Sequence, residues 1–313
     1  MDKFIIKQSG ILLLTAVIWG VAFVAQSAGM DYVGPFTFNA VRSLIGGVVL
    51  IPCICILDKW KKKNTPREQR ENIESNLNIE NKSEKKSLII GGAACGVLLF
   101  VASNFQQFGI QYTTVGKAGF VTALYIILVP IFGIFLHRKV SVKIWIGVAI
   151  ALLGLYLLCM QGSFQLQKGD FLVLLCAFSF SFHILVVDYF SPKTDGVKMS
   201  CIQFFVCGVL SAVCMFLFET PKMGLILEAW LPILYAGVLS CGVAYTLQIV
   251  GQKGMNPTVA SLILSLESVV SVLAGWVILH ETLSKKELLG CVLMFVAIIL
   301  AQLPDRKREE GEK

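Results

Sequence analysis

Residues 10–29 read GILLLTAVIWGVAFVAQSAG, an apolar stretch without a charged side chain. A helix needs about 20 residues to cross the hydrocarbon core of a bilayer, so this stretch has the length of a membrane span. Because it is apolar on every face, its backbone must satisfy its own hydrogen bonds as a helix. Lys3 and Lys7 ahead of it would also suit a cleaved signal peptide, but the apolar run is long for one. The stretch predicts an all-α integral membrane protein.

Comparable stretches fill most of the chain of 313 residues, of which 56% are hydrophobic and only 15% charged. An average soluble domain has about 25% charged residues, and the mean hydropathy of +0.76 also excludes a fold surrounded by water. The pattern predicts ten transmembrane helices. Their predicted ranges are 10–29, 36–57, 88–109, 116–136, 143–160, 169–189, 199–218, 229–250, 257–279 and 287–303.

The basic residues predict the orientation of these helices. With a cytoplasmic amino terminus, 21 of the 27 Lys and Arg residues fall on the cytoplasmic side, while Arg42 and Lys117 lie within spans. The four on the outer side are Lys168, Lys222, Lys285 and Lys286. Lys and Arg collect on the cytoplasmic side of membrane proteins, so both termini are expected there, in the plasma membrane. The net charge of +7 then reflects topology and attraction to the lipid bilayer, and no nucleic-acid partner is expected.

An internal repeat relates the two halves of the chain. When Leu136-His137 is laid over Leu279-His280, three further residues coincide: Ser141, Lys143 and Gly147 with Ser284, Lys286 and Gly290. The sequence therefore predicts two five-helix repeats, residues 1–161 and 162–303, with a cytoplasmic hydrophilic loop at 58–87 and a cytoplasmic tail at 304–313. Because each half crosses the membrane an odd number of times, the second must be inverted relative to the first, as in many secondary transporters.

Several short motifs, in this order and spacing, carry a resemblance to a known family. They are Trp19-Gly20 with Phe23, Arg42, Gln111-Tyr112-Thr113-Thr114, Ala123-Leu124-Tyr125 with Pro130, Ser265-Leu266-Glu267-Ser268-Val269, and Leu279-His280-Glu281-Thr282-Leu283-Ser284. Along almost its whole length the chain resembles a ten-helix, EamA-like member of the drug/metabolite transporter superfamily. The resemblance implies transport of small organic solutes by alternating access, often outward, with no bound cofactor. Ser268-Val269 stands where the family commonly has a proline, so no proline bends the chain there.

Glu267 is the most informative single residue. It lies about ten residues into its predicted span, near the bilayer midplane, where a charged carboxylate costs at least about 2.5 kcal/mol. One hypothesis is a protonatable group whose charge changes with substrate occupancy and couples proton movement to transport. The other is a structural carboxylate bonded to a neighbouring helix. On a helical wheel Ser271 shares the Glu267 face, which we expect to face a cavity.

Two predicted helices carry polar residues at matching intervals. Asn104, Gln107 and Gln111 follow i, i+3, i+7 spacing in one, and Tyr245, Gln248 and Gln252 follow it in the other, which places each set on one helix face. One hypothesis makes them paired gates at opposite mouths of the cavity. The alternative is that glutamines near helix ends contact interfacial water.

Other residues complete the predicted substrate cavity. Arg42 lies about two turns inside its span and is a candidate for holding a carboxylate or phosphate group, whereas Lys117 at a span end can reach the headgroups instead. Trp19, Tyr112 and Tyr125 are candidates for aromatic cavity walls, although aromatic residues near span ends also anchor the membrane interface.

Motifs for other kinds of chemistry were not found. Gly116-Lys117 lacks both the first glycine and the Ser or Thr of a phosphate-binding loop, and Ser284 stands where a zinc-binding His280-Glu281 helix needs its second histidine. The ten cysteines include no C-x-x-C pair, so neither a metal site nor a disulfide framework is predicted. The 58–87 loop is expected to be a flexible tether, with a lipid-binding or partner-binding role as its alternative.

The sequence thus predicts a secondary transporter, an exporter or exchanger of small metabolites, amino acids or drugs, and no enzyme. Its expected partners are a small-molecule substrate and the bilayer, and it leaves a homo-oligomer open. One alternative is a receptor or scaffold that transports nothing, and another, an intramembrane enzyme, lacks an acid partner for Glu267. Within transporters, a carrier of phosphorylated or anionic metabolites is a further alternative.

Overall fold

A computed structural model describes residues 3–64, 67–113, 115–137, 140–159, 168–278 and 284–302. Throughout these ranges the regular structure is helical and contains no strand, as the all-α prediction requires. The predicted tail at 304–313 and residues 279–283 of the repeated motif lie outside the described residues.

The first half of the chain contains six helices. They are α1 (Lys3–Gly29), α2 (Pro35–Asn64), α3 (Arg67–Ile110), α4 (Val115–Thr122), α5 (Tyr125–Phe135) and α6 (Val142–Cys159).

The second half contains eight α-helices, with a 3₁₀ turn at Ser191–Lys193 and a π-helix at Tyr235–Ala244. The α-helices are α7 (Lys168–Phe190), α8 (Gly196–Phe218), α9 (Met223–Glu228), α10 (Trp230–Leu234), α11 (Tyr245–Gln252), α12 (Pro257–Leu264), α13 (Glu267–Ile278) and α14 (Lys285–Gln302).

Eight helical segments of the described chain are long and apolar enough to cross a membrane. The other two predicted spans correspond to α6 and α14, whose apolar parts, Val142–Leu157 and Leu288–Ala301, are shorter. Large apolar side chains on the outside are widely exposed, for example Phe135 at 76% and Phe216 at 72%, which suits a surface surrounded by lipid. The protein is a multi-span membrane protein.

Two of the spans are each broken near the middle. A turn at Ala123 and Leu124 separates α4 from α5, and a turn at Ser265 and Leu266 separates α12 from α13. The second break needs no proline, because the Ser265 hydroxyl donates 2.7 Å to the carbonyl of Leu262 and such local bonds compete with regular helix. The chain is therefore interrupted immediately before Glu267, where the sequence supplied no reason for a bend.

Residues 58–87 were expected to form a flexible tether, but the described backbone is helical over most of this range. The backbone there is helical and continues α2 to Asn64 and α3 from Arg67. The segment is rich in Glu and Lys, which have high intrinsic helix propensity, and it adjoins two long helices that have already formed a nucleus.

The helices of the two halves are interleaved. α2 packs along α8, α3 lies between α7 and α8, α6 packs along α14, and α1 contacts α11 and α13. Small residues permit the close approach: a Cβ atom on Gly46 of α2 would lie 2.6 Å from the Cβ of Cys241. α1 thus packs against helices from the second half of the chain.

Candidate functional site

A narrow cavity lies where both broken spans approach α1, α2 and α7, and about 30 Å³ of it is wide enough for water. Six of the predicted site residues line it: Trp19, Arg42, Tyr125, Tyr245, Gln248 and Glu267. The cavity therefore brings together one cation and one carboxylate from different helices.

Tyr125 and Glu267 meet where the two broken spans resume. Tyr125 is the first residue of α5 and Glu267 the first of α13. Both side chains are buried, at 3% and 5% exposure, and the Tyr125 hydroxyl donates a 3.0 Å hydrogen bond to Oε1 of Glu267. The breaks thus place a phenol and a carboxylate in contact inside the membrane.

The environment of Glu267 favours a carboxyl group in two ways. It stands in the first turn of α13, where the helix dipole stabilises negative charge. It also accepts the Tyr125 hydrogen bond. The adjacent wall is close, since a Cβ atom on Gly20 of α1 would lie 2.7 Å from the Glu267 carbonyl oxygen.

Arg42 is a buried cation in the wall of the same cavity. It is 4% exposed, its guanidinium carbon lies 5.5 Å from the centre of the Phe38 ring, and its Nε has no hydrogen-bond partner. Among the residues that the structure describes, no carboxylate forms an ion pair with it. A buried guanidinium of this kind is suited to bind an anionic group of a ligand, because it offers several donors in fixed directions.

An aromatic and amide wall joins these two charged groups. The rings of Trp19 and Tyr245 lie 4.5 Å apart between centroids. The indole Nε1 of Trp19 and the amide oxygens of Gln26 and Gln248 are buried without a hydrogen-bond partner. Because buried polar atoms normally have partners, these atoms offer hydrogen bonds to a solute or to water in the cavity.

Four predicted site residues do not line this cavity. Asn104 is bonded to Asn39 of α2 at 2.9 Å and to Ser211 of α8 at 3.3 Å, so it joins three helices. The Gln107 side-chain amide donates a 3.0 Å hydrogen bond to the backbone carbonyl of Gln26.

The remaining two lie elsewhere for different reasons. Tyr112 is 50% exposed at the end of α3, with the Lys168 amine 5.4 Å from its ring centre. The Ser271 hydroxyl donates 2.8 Å to the carbonyl of Ser268, and its face of α13 packs against Gly119 of α4.

Seven cavity residues were missed by the sequence analysis. They are Phe23, Gln26, Gln106, Phe180, Ile184, Ser240 and Leu264. Phe23 and Gln26 were accessible to prediction, because they follow Trp19 at i+4 and i+7 and so share its helix face. No comparable pattern marks Ser240, which lies within the π-helix.

No group of three or more His, Cys, Asp or Glu side chains within the described ranges is arranged to hold a metal ion. The side chains that line the cavity offer hydrogen-bonding groups, aromatic walls, one cation and one carboxylate.

The fold and its central cavity define a membrane transporter, and the comparisons with known proteins name its family. The EamA-like transporter family matches residues 8–160 and again 167–303. The chain belongs to this family, within the drug/metabolite transporter superfamily.

Known relatives carry the same general description. An uncharacterized transporter of Archaeoglobus fulgidus is 29% identical over 93% of this chain and 84% of its own length. The uncharacterized transporter YoaV of Bacillus subtilis is 25% identical over 93% of this chain and 94% of its own. The uncharacterized inner membrane transporter YedA of Escherichia coli is 21% identical, covering 94% and 90%.

A solved crystal structure has a similar fold. It matches with a TM-score of 0.72 at 19% sequence identity, over 95% of this chain and 96% of the other. At that identity the likeness supports the fold alone.

Proposed function

We propose that this protein is a secondary carrier that moves a small organic solute across the plasma membrane by alternating access. The observation that carries the proposal is the buried cavity, which places Arg42 and Glu267 inside a membrane-spanning bundle. Charged groups at this depth are costly and are usually functional. In a carrier both charged groups would have a function, because a solute and protons can bind in the cavity in turn.

The arrangement of the helices supports an inverted repeat, which is common in secondary transporters that work by alternating access. Spans that the repeat would make equivalent pack against each other, α2 on α8 and α6 on α14. The broken spans are also equivalent in the repeat, and their restarting residues, Tyr125 and Glu267, touch. A pair of similar halves of this kind can adopt two related states, each open to one side.

The solute that suits this cavity carries an anionic group. Arg42 offers donors to a carboxylate or phosphate, and the Trp19 indole offers another. With one guanidinium present, a single negative group is better matched than a multiply charged phosphate ester. Amino acids and other small carboxylates of metabolism fit this description. Transport in the family is often outward, so we propose export or exchange.

Solute flux in proteoliposomes tests the proposal. Vesicles are loaded with a mixed pool of amino acids and small carboxylates, and release is followed with and without a pH gradient. We expect saturable release that the gradient accelerates in the native protein and does not accelerate in Glu267→Gln. Glu228→Gln is the matched control, because Glu228 is an exposed residue of α9.

The outcomes separate the candidate functions. Flux that ignores the gradient in both native protein and variant would remove proton coupling and leave the carrier. No flux of any pool component, from protein that is folded and correctly inserted, would favour the receptor or scaffold alternative.

A further inference from the structure

A carboxylate from the end of α8 binds the first turn of α2. Oε1 of Glu219 accepts a 2.9 Å bond from the backbone N–H of Phe36, and Oε2 accepts bonds from the N–H and the hydroxyl of Thr37 at 2.9 and 2.6 Å. The first N–H groups of a helix have no partner within it, and they favour negative charge. Glu219 therefore caps a helix that lies 183 residues away in the chain.

Gly34 provides the space for this contact. A Cβ atom at position 34 would lie 2.4 Å from Cδ of Glu219 and 2.5 and 2.6 Å from its two oxygens. Atoms do not approach that closely, so any larger residue would displace the carboxylate. Among the described glycines only Gly254 has a positive φ, so at position 34 the requirement is for room rather than for a special backbone conformation.

The other ends of the same two helices are joined in a related way. Asp58 on α2 forms a 2.9 Å ion pair with Lys198 on α8. From 37 to 58 and from 198 to 219 the interval is the same, 21 residues, so the two links occupy equivalent places in the proposed repeat.

The two links differ in strength. Asp58 and Lys198 are 40% and 37% exposed, and water and salt screen such a pair. The start of α8 is also capped by its own Asp195, which accepts bonds from the N–H groups of Val197 and Lys198. The start of α2 instead depends on Glu219, whose three charge-assisted hydrogen bonds are stronger than neutral ones.

An aromatic cluster adjoins the Glu219 contact. The Phe36 ring lies 5.0 Å from that of Phe108 on α3 and 5.9 Å from that of Phe218 on α8. Arg42 follows Phe36 on α2, about 9 Å further along the helix axis. A displacement of this end of α2 would therefore open the aromatic cluster and move a cavity residue.

We propose that Glu219 is a latch between the two halves of the carrier. It holds the ends of α2 and α8 together on the side that the basic residues assign to the exterior, and it must release α2 before the cavity opens to that side. The inference rests on the proposed alternating access, in which the cavity opens to one side at a time. Glu219 thus sets the balance between the two states without touching the solute.

Labelling of a cavity position tests the latch without any solute. Ser240→Cys places a thiol at the cavity wall, and an impermeant maleimide is added to right-side-out and, separately, to inside-out vesicles. Labelling of the same protein without Ser240→Cys is subtracted. Two latch variants, Glu219→Gln and Gly34→Ala, are compared with Glu228→Gln, which changes the charge of an exposed residue nearby in the chain.

We expect each latch variant to increase labelling from the Glu219 side about tenfold, because a hydrogen bond to a charged group is worth at least about that factor. Labelling from the opposite side should fall, and Glu228→Gln should behave as the parent. If Gly34→Ala does not fold, Thr37→Val removes one of the three donors and should give a smaller change of the same sign.

Unchanged labelling in folded Glu219→Gln and in a second latch variant would overturn the latch. Because this assay requires no flux, it fails separately from the carrier proposal. If the latch variants change labelling as expected but the protein moves no solute, the carrier proposal fails and the latch proposal stands. If flux is normal but labelling does not change, the latch proposal fails and the carrier proposal stands.

Discussion

The Tyr125 hydroxyl donates a 3.0 Å hydrogen bond to the Glu267 carboxylate, and each residue begins the second piece of a broken span. The two broken spans, which the predicted repeat makes equivalent, therefore meet inside the cavity through different side chains. A single hydrogen bond from a phenol to a carboxylate thus joins the two broken spans where they resume.

Tyr125→Phe should destabilise the protein by about 1–2 kcal/mol, because a buried carboxylate loses a hydrogen-bond donor. Thermal unfolding in detergent measures the change. Tyr112→Phe is the control, since Tyr112 is half exposed and outside the cavity. Equal unfolding temperatures for the native protein and Tyr125→Phe would mean that the bond contributes nothing.

Gly20→Ala should cost about 1–3 kcal/mol, as overpacking of a close contact does. Its Cβ would lie 2.4 Å from that of Val270 and would push α1 away from α13. We expect a lower unfolding temperature and slower flux, because the wall next to Glu267 moves.

Gly10→Ala is the matched control on the same helix, since nothing lies within 4 Å of the added atom. It should leave stability unchanged or raise it by about 0.5–1 kcal/mol through helix propensity. If the two variants had equal effects, the contact between α1 and α13 would not be tight.

Arg42→Gln should separate stability from transport. Removing a buried cation without an acidic partner relieves a desolvation cost, so the unfolding temperature should not fall. The apparent KM for an anionic solute should rise at least about tenfold, as expected on loss of a charge-assisted bond, while a neutral solute is little affected.

Lys253→Gln removes an exposed cation and should change neither the unfolding temperature nor the apparent KM for an anionic solute. A uniform loss of flux for charged and neutral solutes in Arg42→Gln would indicate a structural role for Arg42 instead of recognition of an anionic group.

Gln8→Ala should destabilise the amino-terminal end of α1 by about 1–2 kcal/mol. The Gln8 amide donates 3.0 Å bonds to the carbonyls of both Val250 and Lys253, and these acceptors at the end of α11 would lose their donor. Thermal unfolding is again the measurement, with exposed Lys7→Ala as the neighbouring control. An equal loss in both variants would mean that the hydrogen bonds of the Gln8 amide are not its cause.

Much of the fold was predictable because hydrophobic length is a local property. A stretch such as residues 10–29 must be helical in lipid whatever surrounds it. Glu267 and Arg42 were recognisable for the same reason, since a charge within an apolar run is conspicuous without knowledge of its neighbours. The sequence also predicted Tyr125 as an aromatic cavity wall and Tyr245 as a member of a polar set on one helix face.

The choice between Gln106 and Gln107 was not predictable. The two are neighbours on α3, yet Gln106 lines the cavity and Gln107 is bonded to α1. Adjacent residues point about 100° apart, so a modest rotation of the helix exchanges their roles. That rotation is determined by the packing of neighbouring helices. The sequence pattern of one helix carries no information about this packing.

The sequence by itself determined that this chain lies in the membrane as helices and which few charges must be accounted for there. Only the tertiary structure decided that Glu219 caps α2, that Tyr125 meets Glu267, and that the spans break without a proline. The physical reason is that the two kinds of interaction act over different distances along the chain. Transfer into lipid acts on each segment separately, whereas caps, breaks and cavity walls arise from contacts between segments far apart in the chain.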